Sequence, residues 1–374
     1  FLQIPLFPQE IYEVNKINFN KYLIDLVLNY HFFSYYLQPM SVVNKEIKFS
    51  SKIQTDDSFN VFKKYHDQLI TEMFYFQQQW LTAAFRRFKD FDKYIILIYL
   101  INKAFKGYND HFVVNSFDEF YAKENFEIPK INIIDLSREL NISKETTRRK
   151  MVELEKDGAI KKDKKKVMLQ RKGQEIQKPT DSIINLSRVI SHFTDYLTKE
   201  KILKSKISKN EINEKMKKNF TQCWQYFFDY QIPLITRWKK IFGDIETWAI
   251  WGNCVYNQNL VMSKNLRDNP NLAKNNDAYI KRLNEYGNRG LNAMTISELT
   301  NIPRPTVLRK LKKLIKQKLL IKDKYNQYLI FGGPDTSKYS KDYLKMMKDV
   351  DEIRKVNGKE FANLITKILN IIVL

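Results

Sequence analysis

The sequence predicts a mainly α fold built twice in tandem, and three observations carry that expectation. Residues 135–170 and 295–330 repeat one another without a gap at a spacing of 160 positions, with twelve identities in thirty-six. The shared residues include Ser137/Ser297, Asn141/Asn301, Ile142/Ile302, Thr146/Thr306, Arg149/Arg309, Lys150/Lys310, Leu154/Leu314, Lys156/Lys316 and Leu169/Leu329. Stretches of helical apolar period precede each copy, and a short basic hairpin pattern follows each. An internal repeat has to be read first, because it sets the unit in which every other element is counted.

Taken in order, an aromatic-rich helix is expected over about 21–37, followed by a polar stretch to about 57. A long amphipathic helix near 58–89 and a shorter apolar one near 91–106 precede an irregular insertion, Gly107–Lys130, closed by Pro129. Two helices then occupy about 132–157, a hairpin about 158–170, and another helix about 180–204. The second half repeats the order. A long helix spans about 209–242, with Arg237-Trp238-Lys239 standing where Arg87-Phe88-Lys89 stand in the first. A shorter helix near 244–264, an insertion Asn265–Asn292, two helices over about 294–317, a hairpin near 318–331 and a closing helix near 339–372 complete it. The expected division is an N-terminal helical extension (1–57), a first repeat unit (58–205) and a second (206–374), joined by the polar run around Lys204–Asn210.

Within each copy the residue pattern is that of a helix–turn–helix with a basic hairpin behind it, a winged helix. In the first, Leu136, Leu140 and Ile142 supply the apolar contacts of the supporting helix and turn. Ser143 stands as an N-cap, its hydroxyl placed to accept from backbone N–H groups of the next turn. Thr147, Met151 and Leu154 mark the buried stripe of the second helix. Its opposite face carries Lys144, Glu145, Arg148 and Arg149, where a recognition helix meets base edges in the major groove. In the second copy the stripe becomes Val307, Leu311 and Leu314, Pro303 replaces the Ser cap, and the outer face carries Arg304, Thr306, Arg309 and Lys310. Prolines are tolerated in a first turn, whose N–H groups lack intrahelical partners. Lys161, Lys162, Lys164, Lys165 and Lys166 crowd the first hairpin and Lys324 the second, as expected of wings lying on phosphate.

Composition points to the same partner. The net charge is +22, from 64 basic and 42 acidic residues. Most of the bases are Lys, as in proteins from AT-rich genomes, so placement of Arg is the better test. Five of the 14 arginines (Arg138, Arg148, Arg149, Arg304, Arg309) fall within 135–152 and 295–312, where an even spread gives about one. Planar, bidentate recognition of phosphate or guanine needs that side chain. Hydrophobic content of 43% excludes wholesale disorder. The runs Tyr22–Leu37 and Tyr94–Phe105 are too short to span a bilayer, and no secretory signal is visible. Cys223 and Cys254 read as buried thiols of a reducing compartment. Scattered His31, His66, His111 and His192 offer no metal spacing, and no Gly-rich phosphate loop or nucleophile elbow is found. No catalytic residue, metal or cofactor is therefore expected, and the chain is not read as an enzyme. Trp224, Trp238, Trp248 and Trp251 lie close together and read as helix-packing core, with an aromatic ligand pocket as the alternative.

The first copy resembles the multiple-antibiotic-resistance regulator (MarR) family of winged-helix transcription factors. The stretch DLSRELNISKETTRRKMVELEKDGAI (Asp135–Ile160) is similar to that family's supporting and recognition helices, and VMLQRKGQEI (Val167–Ile176) to the step after its wing. The resemblance implies DNA contacts from Ser143, Lys144, Thr146, Arg148, Arg149, Lys164 and Lys165, and from Arg304, Thr306 and Arg309 in the second copy. It also allows a small aromatic effector. Two departures stand out: LIFGGPDTSKY (Leu329–Tyr339) replaces the post-wing step in the second copy, and both insertions are long. Such regulators work as homodimers, so the fused copies are expected to act as a pseudo-dimer within one chain, with chain pairing through the N-terminal helix as a further option. The expected function is sequence-specific recognition of double-stranded DNA by a cytoplasmic, nucleoid-associated transcriptional regulator. The alternatives are a plasmid-type replication initiator, which also joins two winged helices, and a winged-helix protein-interaction scaffold.

Overall fold

A computed structural model describes residues 52–128, 131–163, 166–268, 287–330 and 341–373; these are mainly helical and include two small antiparallel sheets. The helix expected near 21–37 and the hairpin-tip lysines Lys164 and Lys165 lie outside the described residues. The first half runs α1 (Thr55–Lys64), α2 (His66–Phe88), α3 (Phe91–Asp110), α4 (Phe117–Ala122), β1 (Asn125–Ile128), α5 (Ile133–Leu140), α6 (Lys144–Lys156), β2 (Ile160–Lys162), β3 (Val167–Gln170), α7 (Arg171–Gln177) and α8 (Thr180–Lys199). The second runs α9 (Lys209–Lys218), α10 (Phe220–Phe242), α11 (Ile245–Asp268), α12 (Ala293–Thr300), α13 (Arg304–Lys316), β4 (Leu320–Lys322), β5 (Tyr328–Ile330) and α14 (Lys341–Ile372).

The repeat extends well beyond the segment that aligns in sequence. Each long amphipathic stretch is two helices rather than one. The first breaks at Tyr65 (φ −110°, ψ 26°) and the second at Asn219 (φ −109°, ψ 40°). The next boundary also recurs: Lys89 and Gly243 both take left-handed φ, at 53° and 81°. Asp90 then accepts from the N–H groups of Asp92 and Lys93, and Asp244 from that of Thr247. These landmarks lie 154 residues apart, so Phe88 corresponds to Phe242. The match of Arg87-Phe88-Lys89 with Arg237-Trp238-Lys239 is therefore four residues out of register.

The insertion Gly107–Lys130, expected to be irregular, instead carries regular elements along much of its length. Helix α3 continues to Asp110, and Ser116 and Glu119 form a reciprocal capping box that starts α4. Strand β1 buries Phe126 and Ile128 on alternate residues and pairs antiparallel with β3, giving a sheet of order β1-β3-β2. In the second half Leu291 takes the place of that third strand, exchanging backbone bonds with Tyr328 at 3.2 and 2.8 Å. The hairpins differ by one residue. Ile160 pairs with Leu169 in the first, whereas Leu320 pairs with Ile330 in the second. Leu169 and Leu329 are thus identical in an ungapped alignment but not equivalent in the sheet.

The two halves share one continuous core. Helix α2 packs on α11, and α10 packs on α3; α1 lies on α14, and α9 on α8. Each of these four pairings joins elements of opposite halves, and the exchange of α2 and α10 is reciprocal. Large side chains fill the crossing: Phe76 meets Phe227 at 5.5 Å between ring centres, and Trp80 meets Trp248 at 6.0 Å. Polar groups are matched across it too. Asn102 donates to Asp229 at 2.8 Å, Lys239 pairs with Asp92 at 2.7 Å, and Gln231 donates to the Tyr94 hydroxyl at 2.9 Å.

Candidate nucleic-acid interface

Each helix–turn–helix is built by the same few bonds. Asn141 and Asn301 end α5 and α12 in the left-handed region, at φ 51° and 58°. Asparagine tolerates that backbone better than most residues with a Cβ. Ser137 Oγ donates across the turn to the Ile142 carbonyl at 2.6 Å, and Ser297 Oγ to that of Ile302 at 2.7 Å. Ile142 and Ile302 are buried beneath. Ser143 then caps α6, accepting from the Thr146 N–H at 3.1 Å and donating to Thr146 Oγ1 at 2.8 Å. Pro303 enters α13 without a side-chain cap. The stripes Thr147, Met151, Leu154 and Val307, Leu311, Leu314 are buried as their spacing predicts.

The recognition helices are anchored by a repeated ion pair. Lys150 Nζ lies 2.7 Å from Asp90 Oδ2, and Lys310 Nζ 2.6 Å from Asp244 Oδ2. Lys313 reinforces the second anchor by donating to the Phe242 carbonyl at 2.6 Å. Lys310 was read from sequence as part of the outward face; its side chain is only 11% exposed and turns inward to Asp244. The spacing misleads because Lys310 flanks the buried stripe, and its partner comes from a helix distant in sequence.

The outer faces differ in electrostatics. On α6, Lys144, Arg148 and Arg149 are exposed, Thr146 is half-buried, and Ser143 is exposed at the cap. Glu145 grips Arg148 at 2.7 and 3.1 Å, and Glu153 approaches Arg149 at 3.7 Å. The hydrogen bond from Arg148 holds the Glu145 carboxyl below its usual range. Helix α13 contains no acidic residue. Its exposed Arg304, Arg309, Lys312 and Lys316 have no carboxylate partner among the described residues, and Thr306 is half-buried between them. Lys312 and Lys316 were missed in the sequence reading, although they follow Arg309 at helical spacing on the same side.

In the first wing Lys161 is exposed, Lys162 bonds to Glu155 and Lys166 to Glu127. In the second, Asp323 accepts from the N–H groups of Tyr325 and Gln327. Lys324 sits over the ring of Tyr325, 5.1 Å from its centre, and that ring is 68% exposed. Gly173, in the segment after the first wing, fits only as glycine: a Cβ there would come within 2.3 Å of the Ala159 carbonyl.

Trp224, Trp238, Trp248 and Trp251 pack into the core, with Trp238 stacked on Trp248 at 6.1 Å. Cys223 and Cys254 are both buried, and burial pushes each thiol up to about 12. Among the described residues no helix is long and apolar enough to cross a membrane. Comparison with family models, curated proteins and solved structures finds no match to this chain.

Proposed function

We propose that this chain is a sequence-specific double-stranded DNA-binding protein, two winged helix–turn–helix units joined as an intrachain pseudo-dimer and serving transcription regulation. One observation carries the reading. Six of the twelve identities between the copies are accounted for by the fold: Ser137, Asn141, Ile142, Lys150, Leu154 and Asp163 make the turn, the anchor, the buried stripe and the hairpin corner in both. Thr146/Thr306, Arg149/Arg309 and Lys156/Lys316 serve no such shared purpose. They lie at i, i+3 and i+10 along the solvent side of the recognition helix, a stripe of roughly 15 Å. Two copies that have diverged at most positions keep a hydroxyl, a guanidinium and an ammonium where a helix would meet base edges and phosphate. The resemblance of Asp135–Ile160 and Val167–Ile176 to MarR regulators belongs to the same reading.

Selection of bound duplexes from a random pool, followed by affinity measurement on the selected site, tests it. The half-sites are expected to be unequal, because Glu145 stands against Pro305 and Arg148 against Leu308. Arg149→Ala and Arg309→Ala should each lose about 1–3 kcal/mol on the selected site and relax preference at one position. If no sequence is enriched, or if both variants weaken random duplex as much as the selected one, sequence recognition by these helices is wrong.

A further inference from the structure

The reciprocal packing of the halves creates two pseudo-equivalent spaces, one of which is open and the other filled. A cavity of about 430 Å³ lies among α1, α2, α10 and α14. At the related place, reached by the 154-residue shift, about 30 Å³ remains. The difference follows from side-chain size at matched positions. Ile70, Met73 and Leu234 line the open space, where Trp224, Phe227 and Trp80 line the closed one; only Trp238 against Ala84 runs the other way. Phe74 and Gln77 recur as Phe228 and Gln231.

The open cavity also holds polar groups without partners. Gln231 donates to Tyr94, but the residue matching Tyr94 is Trp248, whose indole cannot accept. Gln77 Nε2 is accordingly buried without a hydrogen-bond partner among the described residues, as is Asn357 Nδ2. The Asn357 amide is oriented by Arg237, whose Nε donates to its Oδ1 at 2.9 Å, which leaves the NH₂ as the free donor. Both side chains are more than nine-tenths buried. Buried donors of this kind cost stability unless something accepts from them. At the edge stand Lys63 and Lys355, with Arg354 paired to Asp351 at 3.6 Å, the one acid among the described lining residues.

We propose that this cavity binds one small amphipathic anion per chain, its apolar body among Phe62, Ile70, Met73 and Trp238 and its oxyanion toward Asn357 and the basic edge. The volume is that of an ordinary small-molecule site, and the few convergent polar groups would set orientation. Helix α2, which forms one wall, also holds both motifs further along. Thr82 donates to the Leu299 carbonyl at the end of α12, and Arg87 to the carbonyls of Ile176 and Lys178 at the C-terminal end of α7.

Fluorescence titration of the full chain with anilinonaphthalene sulfonate tests the site independently of DNA. One probe should bind per chain, and more tightly than phenylnaphthylamine, its uncharged analogue. Ile70→Trp and Met73→Phe place in the open cavity the residues that close its counterpart. Each should weaken the probe about tenfold or more by steric exclusion while leaving circular dichroism unchanged. If Ile70→Trp does not fold, Met73→Phe carries the test. Lys355→Gln should weaken the sulfonate probe and leave the uncharged analogue alone. No binding by the folded wild-type chain, or equal binding by folded Met73→Phe, overturns the site. Equal affinity for charged and uncharged probes overturns the anion.

Discussion

Lys150 and Lys310 are the residues that separate scaffold from contact surface. Asp90 and Asp244 are half-buried, and burial alone would push their carboxyls up. Hydrogen bonds from Lys150 to Asp90, and from Lys310 to Asp244, outweigh that together with the N–H groups of Lys93 and Thr247, so both carboxyls sit below the usual range. A carboxyl lowered on folding contributes stability that is present above the unfolded value, near ~4, and is lost as pH falls through the folded one. Lys150→Met is therefore expected to cost about 1–3 kcal/mol at neutral pH, since it strands a half-buried carboxylate. The cost should shrink as pH falls below the ordinary carboxylate value of about 4 and toward the lowered one of Asp90, where that group protonates in the parent as well. Urea unfolding of both proteins across pH 3–7 checks this; a difference that stays constant with pH would show that the ion pair contributes nothing.

At the scale of elements, the two recognition helices are alike in backbone and unlike in charge. Helix α6 spends both of its arginines on its own glutamates, whereas on α13 Arg304, Arg309, Lys312 and Lys316 have no acid partner among the described residues. Weak exposed pairs such as Arg148–Glu145 are readily exchanged for phosphate. Glu145→Gln is thus expected to raise affinity for random duplex several-fold, and Lys316→Ala to reduce the slope of log affinity against log salt by about 0.9. Titrations at several salt concentrations measure both; an unchanged slope in Lys316→Ala removes that lysine from the phosphate track. Much of this level is legible from sequence. The turn residues Ser137, Asn141 and Ile142 and the stripe Thr147–Met151–Leu154 act locally, so their spacing reports their geometry. Strand β1 was not legible, because four residues of alternating burial carry little signal without the partner β3. The breaks at Tyr65 and Asn219 were hidden because the apolar period continues across them. Lys310 reads as an exposed base on its own helix, and only the fold brings Asp244 beneath it.

Across the whole molecule the linker is less important than the packing it joins. With α2 on α11, α10 on α3, α1 on α14 and α9 on α8, neither half encloses its own apolar helices. Phe76, Trp80 and Phe105 of the first half are covered by Phe227, Trp248 and Phe228 of the second. Surface of this kind resembles a domain core cut in half, the mark of obligate partners. The sequence expectation of two repeat units is compatible with that arrangement, yet each unit would expose a broad apolar face if it stood alone. The connection itself is short and at the surface: Lys204 and Ser205 are exposed, between Glu200, which bonds to Lys64 and Tyr65, and Ile207, whose backbone is held by Ser191 and Thr194. A protease site inserted after Ser205 should therefore be cut in the native protein without releasing either half. The two fragments are expected to elute together in gel filtration, to melt in one transition and to keep the DNA affinity of the intact chain. Under denaturant they should separate, and the 206–374 fragment alone should fail to refold into a monomer. If instead the halves part on cleavage, or if each fragment melts cooperatively by itself, the chain is two tethered domains and not an interlocked pair.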